Sequence, residues 1–107
     1  MEIQRDQFGP QVQLEVYDPE TQMRGFLVID NTNLGPGKGG IRMTPNISMG
    51  EVWGLARTMT WKNALAGLPF GGAKAGLVFD PGITTRDKKK NLVYAFSKAL
   101  KPYCPKH

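Results

Sequence analysis

The stretch 60–80, TWKNALAGLPFGGAKAGLVFD, constrains the fold of this chain most, because it changes conformational period within a few residues. A helical run ends at Gly67. Leu68, Pro69, Phe70, Gly71 and Gly72 form a turn, and Ala73 to Asp80 read as a strand, apolar at Ala75, Leu77, Val78 and Phe79. A strand apolar on consecutive positions is covered on both faces, which calls for helices above and below a sheet. Lys74 stands at the strand's entrance, just past two glycines, where a side chain points into whatever cleft the glycines leave open.

Upstream, residues 11–17 alternate strictly, with Val12, Leu14 and Val16 on one face and Gln13, Glu15 and Tyr17 on the other, the period of a half-buried edge strand. Turn formers Asp18, Pro19, Glu20 and Thr21 lead into residues 24–30, whose Phe26, Leu27, Val28 and Ile29 are continuously apolar. The two runs predict a hairpin, its loop fixed by Pro19. Residues 31–40 carry four glycines and a proline and read as a loop, with Lys38 set between glycines. A flexible surface loop is the plain reading, but such a linker more often carries serines than a lone lysine.

Residues 46–67 predict the first helix. Ser48 with Glu51 forms a capping box, and Val52, Leu55, Ala56 and Met59 recur on one stripe with Trp53 at its border. Lys62, three residues after Met59, is placed near the buried face. There it requires an anionic partner, or its stem snorkels to water. A turn at Asp80, Pro81 and Gly82 precedes a second helix, capped by Thr84 with Asp87, packed through Leu92, Val93, Phe96, Ala99 and Leu100, and ended by Pro102. Arg86, Lys88, Lys89 and Lys90 fall on its solvated side. The expected class is α/β: a three-layer α/β/α unit with a small, mostly parallel sheet, an antiparallel N-terminal hairpin and flanking helices.

Composition narrows function. With 107 residues the chain is sized for one small domain. Its single cysteine, Cys104, leaves no internal disulfide and, with no local His/Cys ligand set, no metal site. No apolar run is long enough for a membrane span and the N-terminus lacks a signal-peptide core, so a cytoplasmic protein is expected. The formal charge of +5 permits anion binding, yet the basic run 86–90 lacks the interleaved aromatics of a single-strand nucleic-acid binder, so neither nucleic acid nor membrane is an expected partner. Gly35, Gly37 and Gly40 satisfy G-x-G-x-x-G, but Thr44 and Pro45 intervene before any helix, against a dinucleotide fingerprint. Nor does the turn at 71–74 end in the Gly-Lys-Ser/Thr of a phosphate loop. The histidine of the chain, His107, is terminal and poorly placed for catalysis.

GPGKGGIRM at 35–43, MTWKNALAGLPFGGAKAG at 59–76 and the Asp80-Pro81 pair together resemble the N-terminal domain of the glutamate/leucine/phenylalanine/valine dehydrogenases. The resemblance covers nearly the whole chain, in order, and is closest to glutamate dehydrogenase. It implies that 1–107 is the substrate-binding and dimerisation domain, incomplete, with the Rossmann domain absent. It implies that Lys74 is catalytic, activating water and stabilising a developing oxyanion, that Lys62 binds the substrate α-carboxylate, and that Lys38 reaches the side-chain carboxylate. Gly39, Gly40, Met59 and Gly72 join them as substrate-binding positions. The substrate is then an amino acid interconverted with its 2-oxo acid, L-glutamate being favoured by Lys38. NAD or NADP is bound by a domain outside the chain, the isolated chain is inactive, and the protein is a homo-oligomer. Met59 stands where some glutamate dehydrogenases place glutamine, and Arg42-Met43 is similar to the leucine-type members, which keeps a branched-chain substrate as the alternative. An assembly module without activity, using the edge at 11–17, is the other alternative.

Overall fold

In the computed structural model, residues 5–79 and 86–101 are described. Strands β1 (Val12–Asp18) and β2 (Met23–Asn31) form the hairpin, followed by β3 (Gly37–Lys38), β4 (Ile41–Thr44), helix α1 (Met49–Leu65), β5 (Gly71–Val78) and helix α2 (Arg86–Leu100). The turn at 80–82, the Thr84 cap, the Pro102 stop and the tail with Cys104 and His107 lie outside the described residues.

One sheet contains every strand, in the order β1-β2-β5-β3, with β4 also on β5. β1 pairs antiparallel with β2, Val12 opposite Ile29. The Asp18 carboxylate builds the hairpin turn, accepting from the Glu20 amide at 3.2 Å and the Thr21 hydroxyl at 2.9 Å, so the turn rests on Asp18 as well as Pro19. β2 pairs antiparallel with β5, Val28 opposite Lys74, whereas β3 and β4 run parallel to β5. The sheet is therefore mixed, not mostly parallel. The α1 crossover makes β4 and β5 parallel, but the hairpin inserts β2 beside β5 in the opposite sense.

Gly37 and Lys38, read from sequence as part of a loop, form strand β3, and the extended residues expected from Ile41 onward form β4, because β5 supplies partners for both. Gly37 faces Gly71, Lys38 faces Gly72, and Ile41 to Thr44 face Ala75 to Val78 in the same register. Gly39, between the two pieces, lies so close to the β5 backbone that a Cβ there would sit 1.6 Å from the Ala73 carbonyl oxygen, which restricts the position to glycine.

The alternation of β2 divides the core. Phe26 and Val28 pack with Ile47, Val52 and Ala56 beneath α1. Leu27 packs with Met23, Ala75, Leu77, Leu92, Phe96 and Leu100 beneath α2, joined by Leu14 and Val16 of β1. Helix α1 starts as its sequence dictates, with Ser48 as N-cap accepting from the Glu51 amide at 3.2 Å. The reciprocal half of the box is replaced: Glu51 Oε1 lies 3.9 Å from Arg42 Nε. The helix ends in a Schellman motif, Leu68 N–H donating to Asn63 C=O at 3.0 Å and Gly67 N–H to Ala64 C=O at 3.1 Å, with Gly67 at φ 69°. Neither helix is long and apolar enough to cross a membrane.

Candidate functional site

Register fixes the lysines before any side chain is considered. A Cβ on Gly72 would meet Thr60 N at 2.3 Å and Ala56 O at 2.5 Å, so Gly72 faces α1. Lys74, two residues along β5, faces the same way, as does Lys38, the parallel partner of Gly72. Lys38 and Lys74 thus rise from adjacent strands on the sheet face that α1 partly covers, and Lys62 projects from α1 itself. Gly40 leaves room beside Lys74: a Cβ there would stand 3.3 Å from its Nζ.

Their environments differ. Lys38 is exposed and holds its ammonium 4.6 Å from the centre of the Phe70 ring, a cation–π contact. Lys62 is exposed, not near the buried face as its spacing from Met59 suggested. The buried stripe of α1 is Val52, Ala56, Thr60 and Asn63, with Leu55 and Met59 only half-buried on its flank, so the stripe is rotated toward polar residues that pattern reading places outside. Lys74 is half-buried, and among the described residues it is the one lysine that is not exposed. It makes no hydrogen bond or ion pair among the described residues.

A cleft of about 420 Å³ is lined by Lys38, Gly39, Gly40 and Lys74 together with Leu27, Ala75, Ser97, Leu100 and Lys101. Lys62, Met59 and Gly72 are not among its lining residues. Leu27, Ala75 and Leu100 belong to the core beneath α2, the opposite sheet face from the two ammonium groups, so the register defines the lysine arrangement better than the cleft does. Gly72 is buried under α1, and its lack of a side chain is explained by that contact.

Sequence reading missed a second polar centre. Arg57 on α1 donates from Nε and Nη2 to Asp30 at 2.7 and 3.0 Å, and from Nη1 and Nη2 to Asp6 at 2.8 and 3.0 Å. Its guanidinium also lies within 5.7–5.9 Å of the Trp53, Trp61 and Phe8 ring centres. Asp30 is fully buried and accepts a third bond, from the Thr60 hydroxyl at 2.7 Å. The hydrogen bonds from Arg57 hold the Asp6 carboxyl at about 2, below its ordinary 3.8, and the paired carboxylates raise Arg57 in turn. An aspartate ending an apolar strand was the one available signal, since a buried carboxylate demands a cation.

Chemically, the lysine side offers cations to a small anion. It does not offer a dinucleotide cradle: the Gly35-Gly37-Gly40 run leads into β3 and β4, where a pyrophosphate site needs a helix N-terminus. Among the described residues this glycine run therefore does not form a cradle for a nicotinamide cofactor. Among the described residues no three His, Cys, Asp or Glu come together as a metal-ligand set.

Residues 10–107 match the family described as Glu/Leu/Phe/Val dehydrogenase, dimerisation domain. The NADP(+)-dependent glutamate dehydrogenase of Pyrobaculum calidifontis is 42% identical over 78 residues, 73% of this chain and 18% of the relative. The crystal structure of glutamate dehydrogenase from Peptoniphilus asaccharolyticus superposes with a TM-score of 0.83 at 32% identity, covering 88% of this chain and 25% of that one. L-tryptophan dehydrogenase from Nostoc punctiforme superposes with a TM-score of 0.76 at 27% identity, covering 86% and 28%. The chain thus spans about a fifth to a quarter of the length of these proteins.

Proposed function

The chain belongs to the Glu/Leu/Phe/Val dehydrogenase family, and on that premise we propose that residues 1–107 are the N-terminal substrate-binding and dimerisation segment of a cytoplasmic, NAD(P)-dependent glutamate dehydrogenase. Lys74 carries the proposal: it is drawn partly out of water without an anionic partner among the described residues, a state that a bound carboxylate substrate would relieve. Lys62 pairs with the α-carboxylate and Lys38 with the side-chain carboxylate, and two charge-assisted contacts orient a dicarboxylate where one would let it pivot. Lys74 activates the water that hydrolyses the imine to 2-oxoglutarate and ammonia, and stabilises the oxyanion that develops. Gly40 keeps the space beside the Lys74 ammonium open, Gly39 lets the loop lie against the β5 backbone next to it, and Met59 on the flank of α1 is assigned to the substrate side. Hydride removal belongs to a nicotinamide bound outside these residues, so the isolated chain has no turnover.

A branched or aromatic amino acid is the second reading. It is supported by the exposure of Lys38, whose ammonium is already engaged with Phe70, and by the likeness to a tryptophan dehydrogenase. Assembly belongs to the same proposal, since the matching family is described as a dimerisation domain and β1 is the outer strand of the sheet. The deciding experiment is turnover of the full-length protein on L-glutamate, L-leucine and L-tryptophan, each with NAD and NADP. A higher kcat/KM on either apolar amino acid than on glutamate would overturn the glutamate assignment. Light scattering that finds only monomer would remove the assembly role.

A further inference from the structure

Two buried polar side chains bracket Lys62 on helix α1, and both bond outside the helix. Thr60, 7% exposed, donates its hydroxyl to Asp30 Oδ2 on β2 at 2.7 Å. Asn63, 4% exposed, donates from Nδ2 to the Gly71 carbonyl at 2.8 Å, in the first residue of β5. Burying a hydroxyl or an amide costs free energy unless a partner is supplied, and an apolar residue at either position would cover the sheet without that requirement.

These contacts add direction. Apolar packing is nearly indifferent to small slides and rotations of a helix on a sheet, whereas a hydrogen bond weakens steeply when its angle or length departs from the optimum. The last turns of α1 also rest on bare backbone, because Gly72 interposes no side chain between Thr60 and β5. Rotation there is transmitted directly to Lys62, the neighbour of Asn63, while Gly71 lies three residues before Lys74. We infer that Thr60 and Asn63 are positioning residues that set the separation and angle between the Lys62 and Lys74 ammonium groups. Arg57 contributes through the same Asp30 carboxylate, holding the acceptor that Thr60 needs. The inference rests on the reading of Lys62 and Lys74 as substrate-contacting groups.

The test uses the full-length protein and glutarate, an unreactive dicarboxylate, as the binding probe, with KM for the nicotinamide measured alongside. Asn63→Ala and Thr60→Val each weaken glutarate by roughly tenfold, the loss expected when one charge-assisted contact is pulled out of line. The nicotinamide KM stays unchanged. Thr60→Ser keeps the donated hydroxyl and binds glutarate more tightly than Thr60→Val. Val52→Ala, buried on the same helix about three turns before Lys62 and making no side-chain polar contact, is the control for lost stability. The inference is overturned if Asn63→Ala and Thr60→Val weaken glutarate no more than Val52→Ala at matched Tm loss, or if Thr60→Ser binds as poorly as Thr60→Val. Lys62→Ala checks the parent reading separately: unchanged glutarate affinity there removes Lys62 as an anchor, and this inference with it, whatever Asn63→Ala does.

Discussion

Helix α1 carries one cation, Arg57, and partly covers another, Lys74 on β5, and the two are treated in opposite ways. Arg57, 13% exposed at its side chain, is surrounded: two carboxylates take four of its hydrogen bonds and three aromatic rings cover it. Lys74, also drawn partly out of water, has no carboxylate among the described residues. A cation whose partners are built in holds the chain together, here tying the segment around Asp6 and the end of β2 to α1. A cation with none built in is left to pair with something that arrives. The guanidinium suits the first task because its planar fork serves several acceptors at fixed angles, and an ammonium suits the second because it is a compact point charge.

That contrast is open to direct attack. Lys74→Ala in the full-length protein is expected to lower kcat on glutamate by about 10²–10⁴-fold, the range for losing a group that moves protons, while the thermal midpoint barely changes. Full activity in that variant would end the catalytic role. Arg57→Met is the mirror image: leaving Asp30 buried without its cation should lower unfolding free energy by about 3–5 kcal/mol in a denaturant melt. If stability survived and only substrate affinity fell, Arg57 would belong with the lysines proposed to bind substrate instead.

Smaller effects sharpen the comparison. Lys38→Leu would remove the charge-assisted contact proposed for the side-chain carboxylate, so KM for glutamate should rise about 10–100-fold while L-leucine turnover rises or holds, checked by steady-state kinetics on both substrates. An unchanged glutamate KM would leave the side-chain carboxylate without its assigned partner. The smallest effect is titration of Asp6. Its folded-state value of about 2 lies below the ordinary 3.8, so the unfolded chain binds more protons in that interval. The Asp6–Arg57 contribution is therefore complete above about pH 4 and is lost as the pH falls toward 2. Melting midpoints of the native protein and of Asp6→Asn should converge over that window, and parallel curves would show that Asp6 is not coupled to folding.

Much of this was legible in the chain. Alternation at residues 12–17 and the apolar run at 26–29 gave β1 and β2, Ser48 and Gly67 marked the ends of α1, and Leu92, Phe96 and Leu100 gave the buried side of α2. These signals are local: the period of apolar residues and the chemistry of caps act within a few residues of themselves. Lys38 and Lys74 stood out for the same reason, each a lone lysine in a glycine-rich setting.

What only the tertiary structure decided is non-local. The glycine-rich piece Gly37–Lys38 has little intrinsic preference for a strand and becomes one because β5 offers a matching ladder across more than thirty residues. The mixed direction of the sheet was settled by where the hairpin docks, which no period encodes. Pattern reading sends polar residues outward, so it placed Val52 and Ala56 correctly but rotated the buried stripe of α1 toward Leu55, Met59 and Lys62. Thr60, Asn63 and Asp30 could be buried because their hydrogen-bond partners come from distant elements, and burial of a polar group is permitted by its partner, not by its own position in the sequence.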